Sequence, residues 1–333
     1  MYKEIIKNKR SFFILIILII NIYTIKYKYE RKNYKNYINV AYAFDKKYQY
    51  ITHVSMKSIM LNQNKDTFIN FYILLSNLTK EQKIVINIIG KEHKNCKIVF
   101  IDMGNQFKEY KLPFNIWSTA NYYRLKLPEL LKDVNKIIYL DTDTIIYKDL
   151  TKLYNYNIKG KYFIGMLEYI EEDFFKRHNV SFNNFINTGA LLCNLEELRK
   201  DNISSKIIEF IKENHNKIIY PVNEPTNVIT HKKNGYFPPE YVVIGFCNKK
   251  EAYNYYNYCK IKINKKLVVK AFQDPYIYHF IIYFKPWLDI PNKKGLVCVD
   301  SISRFYEAAR KTSYYYKILE EFPIIKNFSK LNS

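Results

Sequence analysis

Glycine is scarce in this sequence, and the glycine-rich loops that usually hold phosphate groups are missing. Only 8 of the 333 residues are glycine. Neither G-x-G-x-x-G nor G-x-x-x-x-G-K-[ST] occurs, which excludes the usual dinucleotide-binding fingerprint and the P-loop. If the protein binds a nucleotide, something else must hold the phosphates, and a metal ion on a pair of carboxylates would serve.

Cysteine is also rare, and its five copies show no functional spacing. They are Cys96, Cys193, Cys247, Cys259 and Cys298. Their number is odd, and no C-x-x-C pair occurs. This pattern supports neither a zinc site nor a disulfide framework, and a reducing environment is the simpler interpretation.

No apolar stretch reaches the roughly 20 residues that span a bilayer comfortably. The longest candidate is SFFILIILIINIYTI at residues 11–25, whose uninterrupted apolar core covers residues 12–20. Basic residues precede it, and no small-x-small cleavage site follows. We predict an uncleaved N-terminal membrane anchor, with a removed signal peptide or a buried helix as alternatives. The flank after it is equally basic, so charge does not fix its orientation.

Acidic residues are outnumbered, with 31 Asp and Glu against 53 Lys and Arg and a net charge of +22. Such a charge suits nucleic acid or an anionic membrane surface. The basic residues run through the whole chain rather than forming one cluster, so we predict no nucleic-acid partner. The charge still favours anionic ligands and anionic lipid head groups.

The body of the chain alternates apolar runs with helical patterns. Strands are predicted at residues 40–44, 68–75 and 97–101, with helices between them and Thr79 as the N-cap of the second helix. This order is typical of the first half of a doubly wound α/β sheet with right-handed crossovers. A strand at residues 162–166 and an amphipathic helix at residues 301–321 are also predicted.

The most informative stretch is KIIYLDTDTIIYKDL at residues 136–150. An apolar run typical of a buried parallel strand ends in Asp141-Thr142-Asp143, where open α/β sheets place their ligands. Carboxylates one residue apart on an extended strand point to opposite sides, so we expect a turn to begin here. The pair offers oxygen ligands to Mg²⁺ or Mn²⁺, which can hold a diphosphate. The alternative is a solvated acidic turn.

Three other polar residues have two interpretations each. Arg124 lies in a predicted helix at residues 122–127 that Pro128 ends, and is either solvated or directed at a phosphate or the acidic pair. Asn187 interrupts an apolar run at residues 185–195, as turn residues often do. His279 ends a predicted strand, where a lone histidine is more often structural than a metal ligand.

Together these stretches resemble glycosyltransferase family 8. The resemblance is carried by YYRLKLPELLKDVNKIIYLDTDTIIYKDLTKLY (122–154), FINTGALLCNLEELR (185–199), HFIIYFKPW (279–287) and VAYAFDKKY (40–48). It covers roughly residues 38–290. It implies a GT-A type fold, with a single mixed sheet flanked by helices, a UDP-sugar donor, Mn²⁺ (or Mg²⁺), and transfer with retention of anomeric configuration.

The resemblance also implies roles for individual residues. Asp141, Asp143 and His279 would hold the metal, in the family's Asp-x-Asp and H-x5-K-P-W motifs. The residues that it implies at the donor are Asp45, Tyr48, Arg124, Asp141, Thr142 and Lys285. The catalytic and acceptor-side residues implied are Asn223, Asn187 and Glu168.

Three positions depart from the family pattern. Lys47 replaces a donor-loop asparagine, and Ile282 replaces a glycine that lets backbone approach phosphate. Val222-Asn223 stands where the family has Asp-Gln, followed by Glu224 where a further acidic residue is usual. Asn223 is shorter than glutamine by one methylene, so we expect an altered sugar preference or a weak or inactive enzyme.

We therefore predict a retaining, metal-dependent hexosyltransferase that moves galactose or glucose from a UDP-sugar to a cell-surface or lipid-linked glycan, as in lipopolysaccharide biosynthesis. The alternatives are an inactive UDP-sugar or glycan-binding protein on the same fold, and a metal-dependent phosphohydrolase or nucleotidyltransferase. The predicted division is an anchor and basic linker (1–37), a GT-A domain (38–290) and a C-terminal helical extension (291–333). The anchor would place the domain at the membrane surface, on the cytoplasmic face in a bacterium or in the Golgi lumen of a eukaryote.

Overall fold

The core of the protein is a seven-stranded mixed sheet. The structure, a computed structural model, describes residues 34–110, 112, 118–182, 185–245, 250–252, 254, 264–281, 285–287 and 299–322. Four parallel strands form one half of the sheet, in the order β3-β2-β1-β4. They are β1 (Asn36–Ala43), β2 (Thr67–Leu75), β3 (Cys96–Asp102) and β4 (Lys136–Leu140). This parallel arrangement confirms the α/β class that the alternating pattern predicted.

Helices connect these parallel strands and bury their apolar residues against the sheet. Between β1 and β2 lies α1 (Gln49–Asn62), and between β2 and β3 lies α2 (Lys80–Glu92). Thr79 caps α2 as predicted: its hydroxyl accepts from the Gln82 backbone N–H, and the Gln82 side chain accepts from the Thr79 N–H. This reciprocal pair satisfies two backbone donors that a helix start leaves open.

The other half of the sheet contains antiparallel pairs. β7 (Ile186–Asn194) lies between β4 and β6 (Phe163–Leu167) and is antiparallel to both, while β8 (Asn234–Tyr236) is parallel to β6. β7 continues through Asn187, Thr188 and Gly189. These residues therefore do not interrupt the strand, as their resemblance to turn residues had predicted they would. The register between β6 and β7 shifts between Gly165, which is opposite Leu191, and Met166, which is opposite Asn187. The polar stretch of β7 therefore lies at an irregularity of the ladder.

A second, three-stranded sheet adds to the single mixed sheet that was predicted. It contains β5 (Thr144–Ile146), β9 (Val242–Ile244) and β10 (Ile277–His279), in the order β5-β10-β9. In this sheet His279 pairs with Thr144. The C-terminal segment is thereby carried back to the turn that contains Asp141 and Asp143.

The remaining helices follow β3 in the chain. They are α3 (Ala120–Tyr123), α4 (Leu127–Leu130), α5 (Thr151–Tyr154), α6 (Glu172–His178), α7 (Leu195–Lys200), α8 (Ile203–Asn214), α9 (Asn223–Thr230), α10 (Lys265–Gln273), α11 (Val299–Ala309) and α12 (Tyr315–Glu321). Of these helices, α10 and α11 contact the three-stranded sheet. A short 3₁₀ turn, Arg124–Lys126, joins α3 to α4.

Two helix predictions were wrong. Pro128 does not end a helix over residues 122–127 but lies in the first turn of α4, where its missing N–H costs no helical hydrogen bond. The single helix predicted at residues 301–321 is two helices. The Thr312 hydroxyl donates to the Ala309 carbonyl at the end of α11 (2.7 Å), offering the backbone an alternative to a continued helix.

The predicted single N-terminal anchor, and the membrane localisation that rested on it, must be corrected. In the part of the chain that the structure describes, no helix has the length and apolar character needed to cross a membrane. The segment on which that prediction was made, residues 11–25, lies outside the described residues. The division into residues 1–37, 38–290 and 291–333 stays a prediction.

Candidate active site

The strand-ending carboxylate Asp141 is held in place by three neighbours. Its backbone N–H donates to the Gly189 carbonyl oxygen on the adjacent β7 (2.6 Å). Its Oδ1 accepts from Arg124 Nη2 (2.7 Å) and from the Tyr139 hydroxyl (3.0 Å). These contacts leave Oδ2 directed towards His279, whose Nε2 lies 3.9 Å away.

Asp143 lies beyond the predicted turn and is buried against two cations. Its Oδ2 accepts from Lys285 Nζ (2.7 Å), and its Oδ1 lies 3.3 Å from His279 Nε2. Burial alone would raise the pKa of Asp143, but the positive charges of Lys285 and His279 outweigh it and hold that pKa well below its usual value. Asp143 is therefore ionised, and in turn the pKa of His279 is raised despite burial.

Asp141, Asp143 and His279 can hold a divalent metal ion. One ligand atom from each lies within 4.8 Å of the others. Within the described ranges these three residues form the one such group of carboxylates, histidines and cysteines. The two carboxylates suit either Mn²⁺ or Mg²⁺, and the imidazole favours the transition metal Mn²⁺ over Mg²⁺.

Gly189 keeps the space beside this cluster open. A Cβ at this position would lie 2.7 Å from Asp141 Oδ2 and closer still to His279 Cε1. Glycine is thus the residue that lets the β7 backbone pass directly behind two of the three candidate ligands. Sequence reasoning did not select Gly189, although a glycine inside a strand is a signal of close approach.

Arg124 is a buried part of the site rather than a solvated residue. Its Nη1 donates to the Thr188 carbonyl (2.7 Å), its Nε donates to the Asn121 carbonyl (3.0 Å), and its guanidinium lies 4.2 Å from the centre of the Tyr139 ring. Since all these contacts act together with the Asp141 ion pair, the guanidinium has a fixed position at the edge of the acidic turn.

A second polar cluster lies next to the metal residues along β7. The Asn187 and Asn223 amide groups donate to the two oxygens of Glu168, at 3.1 and 2.9 Å. The Asn187 Oδ1 accepts from the Gly189 N–H (2.8 Å), and the Asn223 Oδ1 accepts from the Thr188 hydroxyl. The structure thus brings the three residues predicted as catalytic into one hydrogen-bonded group.

Glu168 has an unusual acidity in this group. Burial raises its pKa to about 7, although the hydrogen bonds from both carboxamides and the nearby His279 act to lower it. A carboxyl group with such a pKa is divided between its two protonation states near neutral pH. Perturbed acidity of this kind is common among residues of functional sites.

The predicted donor-loop residues are positioned after β1. Asp45 accepts from the Lys47 backbone N–H (3.0 Å) and so caps the short 3₁₀ turn Lys46–Tyr48. Lys285 Nζ lies 5.8 Å from the centre of the Tyr48 ring. Tyr48 is thereby brought to the metal cluster, and Thr142 is buried between the two aspartates. Ile282 lies outside the described residues.

The family of this chain follows from its match to a model of a known protein family. The model of glycosyl transferase family 8 matches residues 39–291, which is most of the chain. The chain belongs to glycosyltransferase family 8. The match confirms the family and the enzyme class, glycosyltransferase, that the motifs around Asp141 and His279 predicted.

Individual relatives with curated names share less than a third of their aligned residues with this chain. A Haemophilus influenzae protein named as a glycosyltransferase is 29% identical over 59% of this chain and 60% of its own length. The lipopolysaccharide 1,3-galactosyltransferase of Salmonella typhimurium is 22% identical over 57% of this chain and 58% of its own length. The lipopolysaccharide 1,2-glucosyltransferase of Escherichia coli is 25% identical over 76% of this chain and 79% of its own length. The chain thus spans less than two thirds of the length of two of these three relatives.

Two solved glycosyltransferase structures share the fold of this chain. The galactosyltransferase LgtC, solved with donor and acceptor sugar analogues, superposes with a TM-score of 0.69 over 83% of this chain and 96% of its own, at 19% identity. The bifunctional glycosyltransferase WbbM superposes with a TM-score of 0.68 over 86% of this chain and 52% of its own, at 17% identity. At this identity the likeness shows the mixed α/β fold with its central sheet.

Proposed function

We propose that this family 8 protein is a retaining hexosyltransferase that transfers galactose or glucose from a UDP-sugar to a glycan. The observation that carries the proposal is the convergence of Asp141, Asp143 and His279 with Lys285 and Arg124 at the carboxyl end of β4. Ligands of open α/β sheets bind at this edge. Two fixed cations beside a metal-binding cluster suit a diphosphate leaving group.

The metal centre would be formed by Asp141, Asp143 and His279, and we propose Mn²⁺, with Mg²⁺ as the alternative. A divalent ion here supplies Lewis-acid stabilisation of the negative charge on a departing nucleoside diphosphate. The Gly189 backbone leaves room for the cluster, and the ionised state of Asp143 is the one that a metal ligand requires.

Lys285 and Arg124 would stabilise the same leaving group. Lys285 remains charged because Asp143 raises its pKa in spite of burial. Arg124 has its guanidinium fixed by Thr188 and Asn121, so little reorganisation accompanies binding of a phosphate oxygen. Tyr48 and Asp45, which follow β1, would contact the nucleoside end of the donor.

Glu168, Asn187 and Asn223 would orient the sugar and the incoming acceptor hydroxyl. Both oxygens of Glu168 already accept carboxamide hydrogen bonds, so this carboxylate is better suited to orienting an acceptor hydroxyl than to covalent attack. Attack of the acceptor from the side of the leaving group, with retention, agrees with this assignment.

The acceptor that we propose is a cell-surface or lipid-linked glycan. Two relatives carry names of lipopolysaccharide galactosyl- and glucosyltransferases. The net charge of +22 favours an acceptor attached to anionic lipid, because basic residues near a membrane surface are attracted to anionic head groups.

A donor screen tests the proposal. Purified protein is incubated with a panel of nucleotide sugars and Mn²⁺, and released UDP, inorganic phosphate and pyrophosphate are measured. We expect UDP release from UDP-galactose or UDP-glucose that depends on the metal, and faster release with a glycan acceptor. Phosphate or pyrophosphate release instead would select a phosphohydrolase or nucleotidyltransferase and reject the proposal.

One departure from the family favours a second candidate, a UDP-sugar-binding protein without transferase activity. Val222, where the family has aspartate, is buried and apolar, so it offers no hydrogen bond to a sugar. Calorimetry distinguishes the two candidates. Binding of UDP-galactose or UDP-glucose without turnover, across a panel of acceptors, would select the binding protein.

The raised pKa of Glu168 predicts a pH dependence of stability. The folded protein holds this proton more tightly than the unfolded chain, whose ordinary pKa is 4.5. The stability that this group contributes is therefore complete below about pH 4.5 and is lost as the pH rises through about 7. We expect Glu168→Gln to reduce the fall in Tm between about pH 5.5 and about pH 8 by about 2–4 °C.

The control for this measurement is Glu209→Gln, because Glu209 is exposed on α8. Thermal unfolding of the three proteins is followed by circular dichroism across the same pH range. Parallel Tm curves for wild type and Glu168→Gln would show that Glu168 has no raised pKa.

A further inference from the structure

The residue that follows Asn223 in the chain is a buried glutamate, Glu224. Asn223 begins α9, and its carboxamide contacts both Glu168 and Thr188. Glu224 is fully buried, with a side-chain exposure of 0%. A carboxylate in such a place needs a complete set of charged and hydrogen-bonding partners.

Both carboxylate oxygens of Glu224 have charged or hydrogen-bonding partners. Its Oε1 accepts from Arg177 Nη2 (2.6 Å), and its Oε2 accepts from the Ile219 backbone N–H (3.0 Å) and lies 3.0 Å from His178 Nε2. Arg177 and His178 are the last residues of α6, and Ile219 lies in the segment before α9. The carboxylate thus ties the first turn of α9 to two separate parts of the chain.

Arg177 extends this connection. Its Nε donates to the Lys217 carbonyl oxygen (3.1 Å), and its Nη1 pairs with Asp173 on the same helix. The segment between α8 and α9 is therefore held at two backbone atoms, the Lys217 carbonyl and the Ile219 N–H. The residues around Glu224 have little freedom to move, and the Asn223 backbone shares this constraint.

We propose that Glu224 is a positioning residue, which holds Asn223 in the geometry that contacts Glu168 and Thr188; this proposal rests on the proposed function. Glu224 itself does not reach a sugar, because both of its oxygens are bonded and none of its side chain is exposed. Its role is therefore to set the place of a carboxamide that touches substrate. Misplacement of such a group by about 1 Å lowers the rate by about 100-fold.

A second anchor keeps α9 folded when Glu224 is changed. The Asn227 side chain donates to the Ile186 carbonyl (2.9 Å) and accepts from the Ile186 N–H (2.9 Å), which fixes the middle of α9 to β7. Glu224→Gln preserves the side-chain size but removes the charge that pairs with Arg177. We expect this variant to fold with a loosened first turn of α9.

The test combines kinetics with hydrogen exchange. For Glu224→Gln we expect kcat for the donor screen's best substrate to fall about 10–100-fold, while KM for the donor and the Mn²⁺ requirement stay within about twofold. In an Asn223→Ala background the same change should have almost no further effect, because Glu224 acts through Asn223. Arg177→Lys retains the charge but cannot keep the contacts of Arg177 with both Glu224 and the Lys217 carbonyl, so it should give a smaller fall.

Hydrogen exchange separates a failure of this inference from a failure of the proposed function. Amides of residues 219–227 should exchange faster in Glu224→Gln than in wild type, with β4 and β10 unchanged, whether or not the protein turns over any donor. Glu172→Gln, an exposed change on α6, is the matched control. Unchanged exchange in α9, or additive losses in the double variant, would overturn the positioning role.

Discussion

Asp143→Asn is expected to lower transferase activity by about 1,000-fold or more and to abolish stabilisation by Mn²⁺. The substitution preserves the size of the side chain but removes the charge that Lys285 and His279 share. Loss of one electrostatic contact at a transition state costs about 100–1,000-fold, and here the leaving group loses metal stabilisation as well. Activity is measured as UDP release, and metal binding as the rise in Tm on addition of Mn²⁺.

The same substitution also affects folding, which must be separated from catalysis. Removing one partner of a buried ion pair costs about 3–5 kcal/mol, a large part of the stability of a domain. His279→Asn is the companion variant, because it leaves the Asp143–Lys285 pair intact. We expect it to fold and to lose the Mn²⁺-dependent rise in Tm.

The control for both variants is Asp66→Asn, an exposed aspartate paired with Lys35 far from the site. Exposed ion pairs of this kind contribute about 0–1 kcal/mol, so activity and metal response should match wild type. An active Asp143→Asn protein with an unchanged metal response would remove Asp143 from the metal centre.

Gly189→Ala is the second substitution with a large expected effect. The added methyl group would overlap His279 Cε1 and approach Asp141 Oδ2 to 2.7 Å. Both atoms belong to side chains that are fixed by neighbours, so relief of the overlap must separate the candidate metal ligands. We expect activity to fall by about 100-fold or more and Mn²⁺ affinity to fall in parallel.

Gly90→Ala is the matched control for this change. Gly90 lies in α2, and a Cβ there meets only Ile98 Cδ1 at an ordinary 3.5 Å. Alanine in a helix interior is favoured over glycine by about 1 kcal/mol, so this variant should be active and at least as stable as wild type. If Gly189→Ala retained wild-type metal affinity, β7 would not confine the ligands as the structure indicates.

The sequence predicted the parallel half of the fold well, because that half depends on local patterns. Apolar runs without alternation indicate buried parallel strands, and those runs are β1 to β4. The capping pair formed by Thr79 and Gln82 is also local, because the two residues are only three positions apart. The split of the C-terminal helix was missed, because the 301–321 pattern is amphipathic throughout and the break involves a hydrogen bond from the Thr312 hydroxyl to the Ala309 carbonyl.

The site was predictable in part, but for a different reason. Motif resemblance selected Asp141, Asp143, His279 and Lys285 although they are far apart in the chain, and the structure brings them into contact. Periodicity alone could not have paired them, because β10 reaches β5 through long-range strand pairing. The buried partners of Glu224 were beyond reach, since nothing local to Arg177 and His178 indicates a carboxylate on another helix.

The three-stranded sheet has a consequence for the order in which the protein assembles. Its central strand, β10, docks beside β5 only after most of the chain has been synthesised, and the nearby Lys148–Asp274 pair closes a separation of 126 residues. Closing so long a loop carries an entropic cost that short-range contacts in β1 to β3 do not have. The parallel strands can therefore form early, while His279, the third candidate metal ligand, reaches the site late. A divalent ion that bound to the completed cluster would stabilise the docked position of the C-terminal segment against the sheet that formed before it.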